Sequence, residues 1–228
     1  MFPAQLQGPS QPGFGVLCSV QTRMPLERSG KRGGSPTRQD LWSNTVVSVT
    51  RTVVCNDPDM TLPPASVPPD TSRLRLERTA IRRVPGESFK VLSRLEQLWL
   101  PYNALCELSA LMLKGLRRLR ELRMPGNRLA TFPWAALRDA PQRRLLDLQA
   151  NRLSAVPPEA ARFLGNLTFL DLSSNQLLRL PQELLVTWAH LQTGPFLPGH
   201  HARLVLGKRW HPSLRTTLVK PCGLRQVY

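Results

Sequence analysis

The sequence predicts an α/β solenoid of five 24-residue repeats, with a curved parallel sheet on the concave face and short helices or turns on the convex face. Two observations carry this. A polar amide recurs inside an apolar string: in "LDLSSNQLLRLP", residues 170–181, Asn175 is surrounded by Leu170, Leu172 and Leu177. Steps of 24 residues back from it reach Asn151, Asn127, Asn103 and then Thr79, with no insertion. Around each of these positions the apolar residues fall in the same columns.

The columns justify each element in turn. Leu74, Leu98, Leu122, Leu146 and Leu170 open a short strand. Leu76, Leu100, Met124, Leu148 and Leu172 follow two residues later, on the same face, as strand geometry requires. Beyond the amide come Ile81, Leu105, Leu129, Leu153 and Leu177, then Val84, Leu108, Phe132, Val156 and Leu180. Proline follows the last of these in four of the five repeats. The returning half supplies Phe89, Leu113, Leu137, Ala161 and Leu185, then Leu92, Leu116, Ala140, Leu164 and Trp188. The phrase is the leucine-rich form L-x-x-L-x-L-x-x-N-x-L. A unit of this length cannot bury its own apolar face, so it stacks on its neighbours and the core becomes continuous.

The asparagines Asn103, Asn127, Asn151 and Asn175 are expected to be architectural. At the bend after each strand, backbone groups leave the ladder and need partners, and an amide offers two donors and an acceptor. Two positions depart from the pattern. Thr79 marks an atypical first repeat. Arg143 stands in the column of Leu95, Leu119, Leu167 and Leu191, and its charge is expected to snorkel to the rim.

The flanks read differently. Residues 1–54 are rich in Gly, Ser, Pro and Arg without a sustained period, and are expected to be disordered. Residues 55–69 form an extended lead-in to the repeats at 70–191, and residues 192–228 read as an irregular tail. Neither a signal peptide nor an apolar run long enough to span a bilayer is found. Cys18, Cys55, Cys106 and Cys222 are scattered, and His190, His200, His201 and His211 lack companions at ligand spacing, so no metal or cofactor is expected. The cysteine pairing is left open.

The formal charge of +16 is spread along the chain: +4 over 1–54, −2 over 55–69, +8 over 70–191 and +6 over 192–228. Dispersed arginine of this kind suits solvated turns better than a nucleic-acid surface. No nucleophile–base pair, phosphate loop or metal cluster stands in motif context, so the chain is not expected to be an enzyme.

Binding is expected on the concave face, where residues alternating with the leucines are not needed by the core. The middle column reads Arg75, Trp99, Arg123, Asp147, Asp171, with Gln97, Glu121, Leu145 and Phe169 on one side. Glu77, Pro101, Pro125, Gln149 and Ser173 lie on the other. An aromatic flanked by arginines has the composition of an interface hot spot; equally, it is a local cation–π cluster. Asp147 and Asp171 are expected to be solvated. The separated basic and acidic halves suit a protein partner, and self-association is left open. Asn166-Leu167-Thr168 is a glycosylation sequon.

Specific phrases carry a resemblance. "TVVCNDPDMTLPPASVPPDTSRLRLERTAIRRVPGESF", "LWLPYNAL", "TFPWAALRDAP", "NLTFLDLSSNQL" and "LPQELLVTWAHL" closely resemble the retina-associated leucine-rich-repeat, immunoglobulin-like and transmembrane-domain family over about residues 52–207. The resemblance implies a secreted, glycosylated, non-catalytic module of a photoreceptor-synapse adhesion or receptor-organising protein, including toward glutamate receptors. Cys55 matches the last cysteine of the family's opening cap. The other cap cysteines and the closing cap after Gly207 have no counterpart, so the chain reads as truncated at both ends. Two alternatives stand beside this reading: an intracellular basic protein that binds nucleic acid, and a non-functional truncated product.

Overall fold

The computed structural model describes residues 18–23, 50–178, 180–186 and 203–206. Its main sheet has eight strands: β1 (Cys18–Arg23), β2 (Thr50–Cys55), β3 (Thr71–Leu76), β5 (Gln97–Trp99), β7 (Glu121–Arg123), β8 (Leu145–Asp147), β9 (Phe169–Asp171) and β10 (Arg203–Val205), in that order. All pair in parallel except β1, which runs antiparallel to β2. Register follows the period, with Leu74, Leu98, Leu122, Leu146 and Leu170 side by side. A second, two-stranded sheet, β4 (Arg83–Val84) with β6 (Glu107–Leu108), covers the far side of the first two repeats. The third and fourth repeats return through 3-10 turns, Trp134–Asp139 and Pro158–Phe163, while residues 182–186 of the fifth are α-helical. These turns are too short for the α-helical return of longer repeats.

The apolar columns form one continuous core. One column escaped the sequence reading. Met112, Ala136, Ala160 and Leu184 recur at 24 residues and are fully or almost fully buried. In the last repeat Leu184 is 0% exposed, while Leu185, assigned to the neighbouring column, is only half-buried. Trp188 and Leu191 lie outside the described residues.

The bend after each strand has two parts. Asn151 Oδ1 accepts the N–H of Leu129 at 3.1 Å, and its Nδ2 donates back to Met124 O at 2.9 Å. Asn127 and Asn175 repeat this pattern, bonding Leu105 N and Leu100 O, and Leu153 N and Leu148 O. Asn103 accepts both the N–H and the hydroxyl of Thr79 at 2.8 Å and donates to Leu76 O. Thr79 therefore occupies the first rung.

The residue before each rung has positive φ: Arg78 (53°), Tyr102 (55°), Gly126 (68°), Ala150 (53°) and Ser174 (56°). In the first four, that conformation aims the N–H at a carbonyl of the next repeat, Pro101, Pro125, Gln149 and Ser173 respectively. Only one of the five is glycine, so the left-handed bend is imposed by stacking against local preference.

Arg143 does not snorkel. It is 2% exposed, and its Nη1 donates to Leu137 O (2.9 Å) and Ala140 O (3.4 Å), while Nη2 donates to Phe163 O. Its Nε has no partner, and burial pushes the guanidinium pKa down to about 10. The carbonyls at the C-terminal ends of the two tight 3-10 returns lie within reach and take the charge instead.

Both flanks contain order that the sequence reading did not anticipate. Residues 18–23 and 50–54, inside the stretch expected to be disordered, are strands, and Cys18 is disulfide-bonded to Cys55, 37 residues along. The tail expected to be irregular supplies β10, which pairs with β9. Neither segment shows a repeat pattern of its own. Each takes its conformation from the unpaired edge of the array, which offers a ladder of backbone donors and acceptors.

Candidate functional site

Strand alternation places Arg75, Trp99, Arg123, Asp147 and Asp171 in one registered row across β3, β5, β7, β8 and β9. Phe169 aligns with Leu145 in the adjacent row. All six residues read as binding candidates are thus on the same side of the sheet. Trp99 is flanked on both sides: Arg75 Cζ stands 5.6 Å and Arg123 Cζ 5.4 Å from its ring centroid. This is a cation–π sandwich, the local arrangement that the sequence left level with a hot spot. The two descriptions are compatible, because the sandwich holds the indole in one orientation on an open face.

Each arginine is held in turn. Glu77 Oε2 accepts Nε of Arg75 at 2.8 Å and also its Nη2. Glu121 Oε2 accepts Nε of Arg123 at 3.3 Å, and its Oε1 accepts Gln97 Nε2 at 3.2 Å. The sequence reading missed these two carboxylates as site residues. The signal was present: Glu121 and Arg123 are two apart on β7 and therefore share a face, and Glu77 follows Arg75 at the same spacing just past the end of β3. The indole Nε1 of Trp99 is buried and has no acceptor.

The sequence led to the expectation that both aspartates are solvated, and for Asp147 the structure overturns it. Asp147 is 9% exposed, and its carboxyl pKa is raised by burial. The nearby Asp171 adds to the rise, while the Gln149 N–H and Arg123 oppose it. Its Oδ1 accepts Gln149 N at 3.0 Å; Asp171 Oδ1 accepts Ser173 N at 2.9 Å and Ser173 Oγ at 2.6 Å. These carboxylates terminate their strands by accepting from the residue two positions on.

Away from this face, Asn166 is exposed and donates to Pro141 O at 3.2 Å, and Thr168 Oγ1 donates to Arg144 O at 3.1 Å. Among the described residues no group of three His, Cys, Asp or Glu is placed to hold a metal ion, and no helix is long and apolar enough to cross a membrane. Cys106 is a free, exposed thiol. Cys222 and the four histidines lie outside the described residues.

The registered leucine columns, the amide rungs and the parallel concave sheet define a leucine-rich-repeat solenoid protein. The family model described as Leucine rich repeat matches residues 69–129 and 141–193, and the chain belongs to that family. It is 87% identical over 165 residues to leucine-rich repeat, immunoglobulin-like domain and transmembrane domain-containing protein 1 of Homo sapiens, covering 72% of this chain and 26% of that protein. Identity to the Mus musculus counterpart is also 87% over 165 residues, with the same shares covered. Protein 3 of the same series in Homo sapiens is 45% identical over 95 residues, covering 42% of this chain and 14% of that one. The chain thus spans about a quarter of the length of these two forms of protein 1. Among solved structures, a chain of the octameric complex of Latrophilin 3, Unc5D and FLRT2 shares the fold. Its TM-score is 0.55 at 24% identity, covering 65% of this chain and 42% of that one.

Proposed function

We propose that the concave face is a non-catalytic protein-recognition surface, and that the chain is an extracellular part of a synaptic or retinal adhesion or receptor-organising membrane protein. One observation carries the recognition reading. Trp99 lies between two guanidiniums on a face that the core does not need, and each guanidinium is engaged by a carboxylate. An aromatic already fixed in place loses little side-chain freedom on binding, which is the property of an interface anchor. The carboxylates between and beside the arginines favour a protein over a phosphate backbone. The domain names of the 87%-identical relatives support an extracellular, membrane-attached setting, and the family resemblance supports the synaptic and retinal one. An N-linked glycan at the exposed Asn166 belongs to the same reading.

The test is a binding screen of the chain against displayed extracellular domains of synaptic proteins. Trp99→Ala should weaken a bound partner at least ten-fold while leaving the circular-dichroism melt nearly unchanged. Val91→Ser, at an exposed site on the returning half of the first repeat, should not. Partners insensitive to Trp99→Ala but lost with Val91→Ser would move recognition off the concave face.

A further inference from the structure

We infer that the partner segment seated on the concave face is dipolar: an acidic side chain meets Trp99 between Arg75 and Arg123, and a basic side chain about four residues away meets Asp147 and Asp171. The inference rests on the concave face being the recognition surface, and adds to it the chemistry of what is recognised.

Two independent features point to it. The first is a set of unused donors. Glu77 takes Nε and Nη2 of Arg75 but not Nη1, and Glu121 takes only Nε of Arg123. Between them, Trp99 Nε1–H is buried without an acceptor. A buried donor with no partner marks a place where an acceptor belongs. Reaching it requires a neighbouring side chain to shift, and a carboxylate that pairs with one of the flanking guanidiniums supplies that shift. A planar carboxylate also suits the remaining guanidinium fork.

The second is a set of unused acceptors. Asp147 and Asp171 are registered neighbours on β8 and β9. The hydrogen bonds they accept within the described residues all go to Oδ1, from Gln149, Ser173 N and Ser173 Oγ. Oδ2 of each remains for a donor from outside. Leu145 and Phe169, two residues earlier on the same strands and the same face, are partly exposed beside them. An arginine or lysine has the matching shape, an alkyl stem to lie along the apolar pair and a charged head for the two carboxylates.

The spacing follows from the sheet. Neighbouring strands are ~4.8 Å apart, so Trp99 on β5 and the midpoint of β8 and β9 are separated by roughly 12 Å. An extended peptide running across the strands rises ~3.3 Å per residue, which places the two charges about four residues apart. A polyanion such as a phosphate chain would meet the donors but be repelled by both aspartates over the same span.

The experiment uses the full chain and fluorescent synthetic peptides, with anisotropy as the readout. Peptides of the form Glu-x-x-x-Arg in a Ser/Val host are compared with Glu-x-x-x-Glu, Arg-x-x-x-Arg and a Glu-Arg pair placed side by side. The dipolar peptide should bind at least ten-fold more tightly than each control. Asp147→Asn with Asp171→Asn should abolish its advantage over Glu-x-x-x-Glu, and Arg75→Gln with Arg123→Gln its advantage over Arg-x-x-x-Arg. Equal binding of all four peptides, or no binding at millimolar peptide, overturns the inference. So does a Trp99-dependent dimer by light scattering, which would make a second copy the occupant. A displayed protein partner that depends on Trp99 but not on these charge substitutions would leave the recognition face standing and remove the dipolar segment.

Discussion

The side-chain Oδ1 of Asn151 accepts the backbone N–H of Leu129, one repeat back, at 3.1 Å, while its Nδ2 donates to the carbonyl of Met124 at 2.9 Å. The same amide also donates to Leu148 O within its own repeat. One buried side chain thus satisfies backbone groups of two successive turns. Asn151→Ala leaves the buried N–H of Leu129 without a partner, at about 1–3 kcal/mol, while the carbonyls of Met124, Leu148 and Gln149 keep the bonds donated by Asn127, Asn175 and Gly126. Chemical denaturation should show a loss of roughly 1–3 kcal/mol for Asn151→Ala. Asn175→Ala should cost less, because Asn175 is more exposed and water replaces part of what is lost.

Arg143 invites a test of opposite sign. Its charge is buried, its pKa is pushed down to about 10, and among the described residues no carboxylate pairs with it to offset the burial. A base with a depressed folded pKa costs stability at every pH below that value, and the cost disappears only as pH rises toward the ordinary guanidinium range. Arg143→Met keeps the packing and removes the charge, so its unfolding midpoint in urea should equal or exceed that of the parent chain. Arg143→Ala also opens a cavity and should cost about 2–4 kcal/mol.

Gly126 is constrained twice. Its φ is 68°, and a Cβ there would overlap the ring of Tyr102. Gly126→Ala should cost more than the ~1 kcal/mol of a left-handed alanine alone. In a Tyr102→Ala background the cost should fall back to about that figure. A double-mutant cycle with no coupling between the two sites would show that the ring yields freely.

Cys18 and Cys55 close a loop of 37 residues and hold β1 onto β2. Cross-linking a loop of that length stabilises by about 2–4 kcal/mol. The effect of Cys18→Ser should be local: faster amide exchange in Cys18–Arg23 and Thr50–Cys55, with the exchange of Leu122 and Leu146 unaltered. Uniform loss of protection across the array would mean that the repeats cannot stand without this cap.

The columns of leucine were legible because each buried position recurs at one spacing, and burial leaves few residue types acceptable. The concave row was legible for the same reason, since alternation along a strand fixes which residues share a face. Arg143 was misjudged because the column gave the direction of its side chain but not the carbonyls waiting at its end. Glu77 and Glu121 were overlooked because they had been read as neighbours of the middle row, when their contacts run along the strand to Arg75 and Arg123. The column of Met112, Ala136, Ala160 and Leu184 was hidden by its two small members, which are not apolar enough to stand out until the return is seen to be a tight turn.

The amino-acid order alone determined the period, the parallel stacking and the residues on each face, because these follow from local spacing repeated many times. Tertiary structure decided the left-handed bends at Arg78, Tyr102, Ala150 and Ser174, the strands Cys18–Arg23 and Arg203–Val205, and the partners of Arg143. None of these is favoured by its own few residues. Each is set by hydrogen-bonding groups that exist only once neighbouring turns have stacked, so no local pattern could announce them.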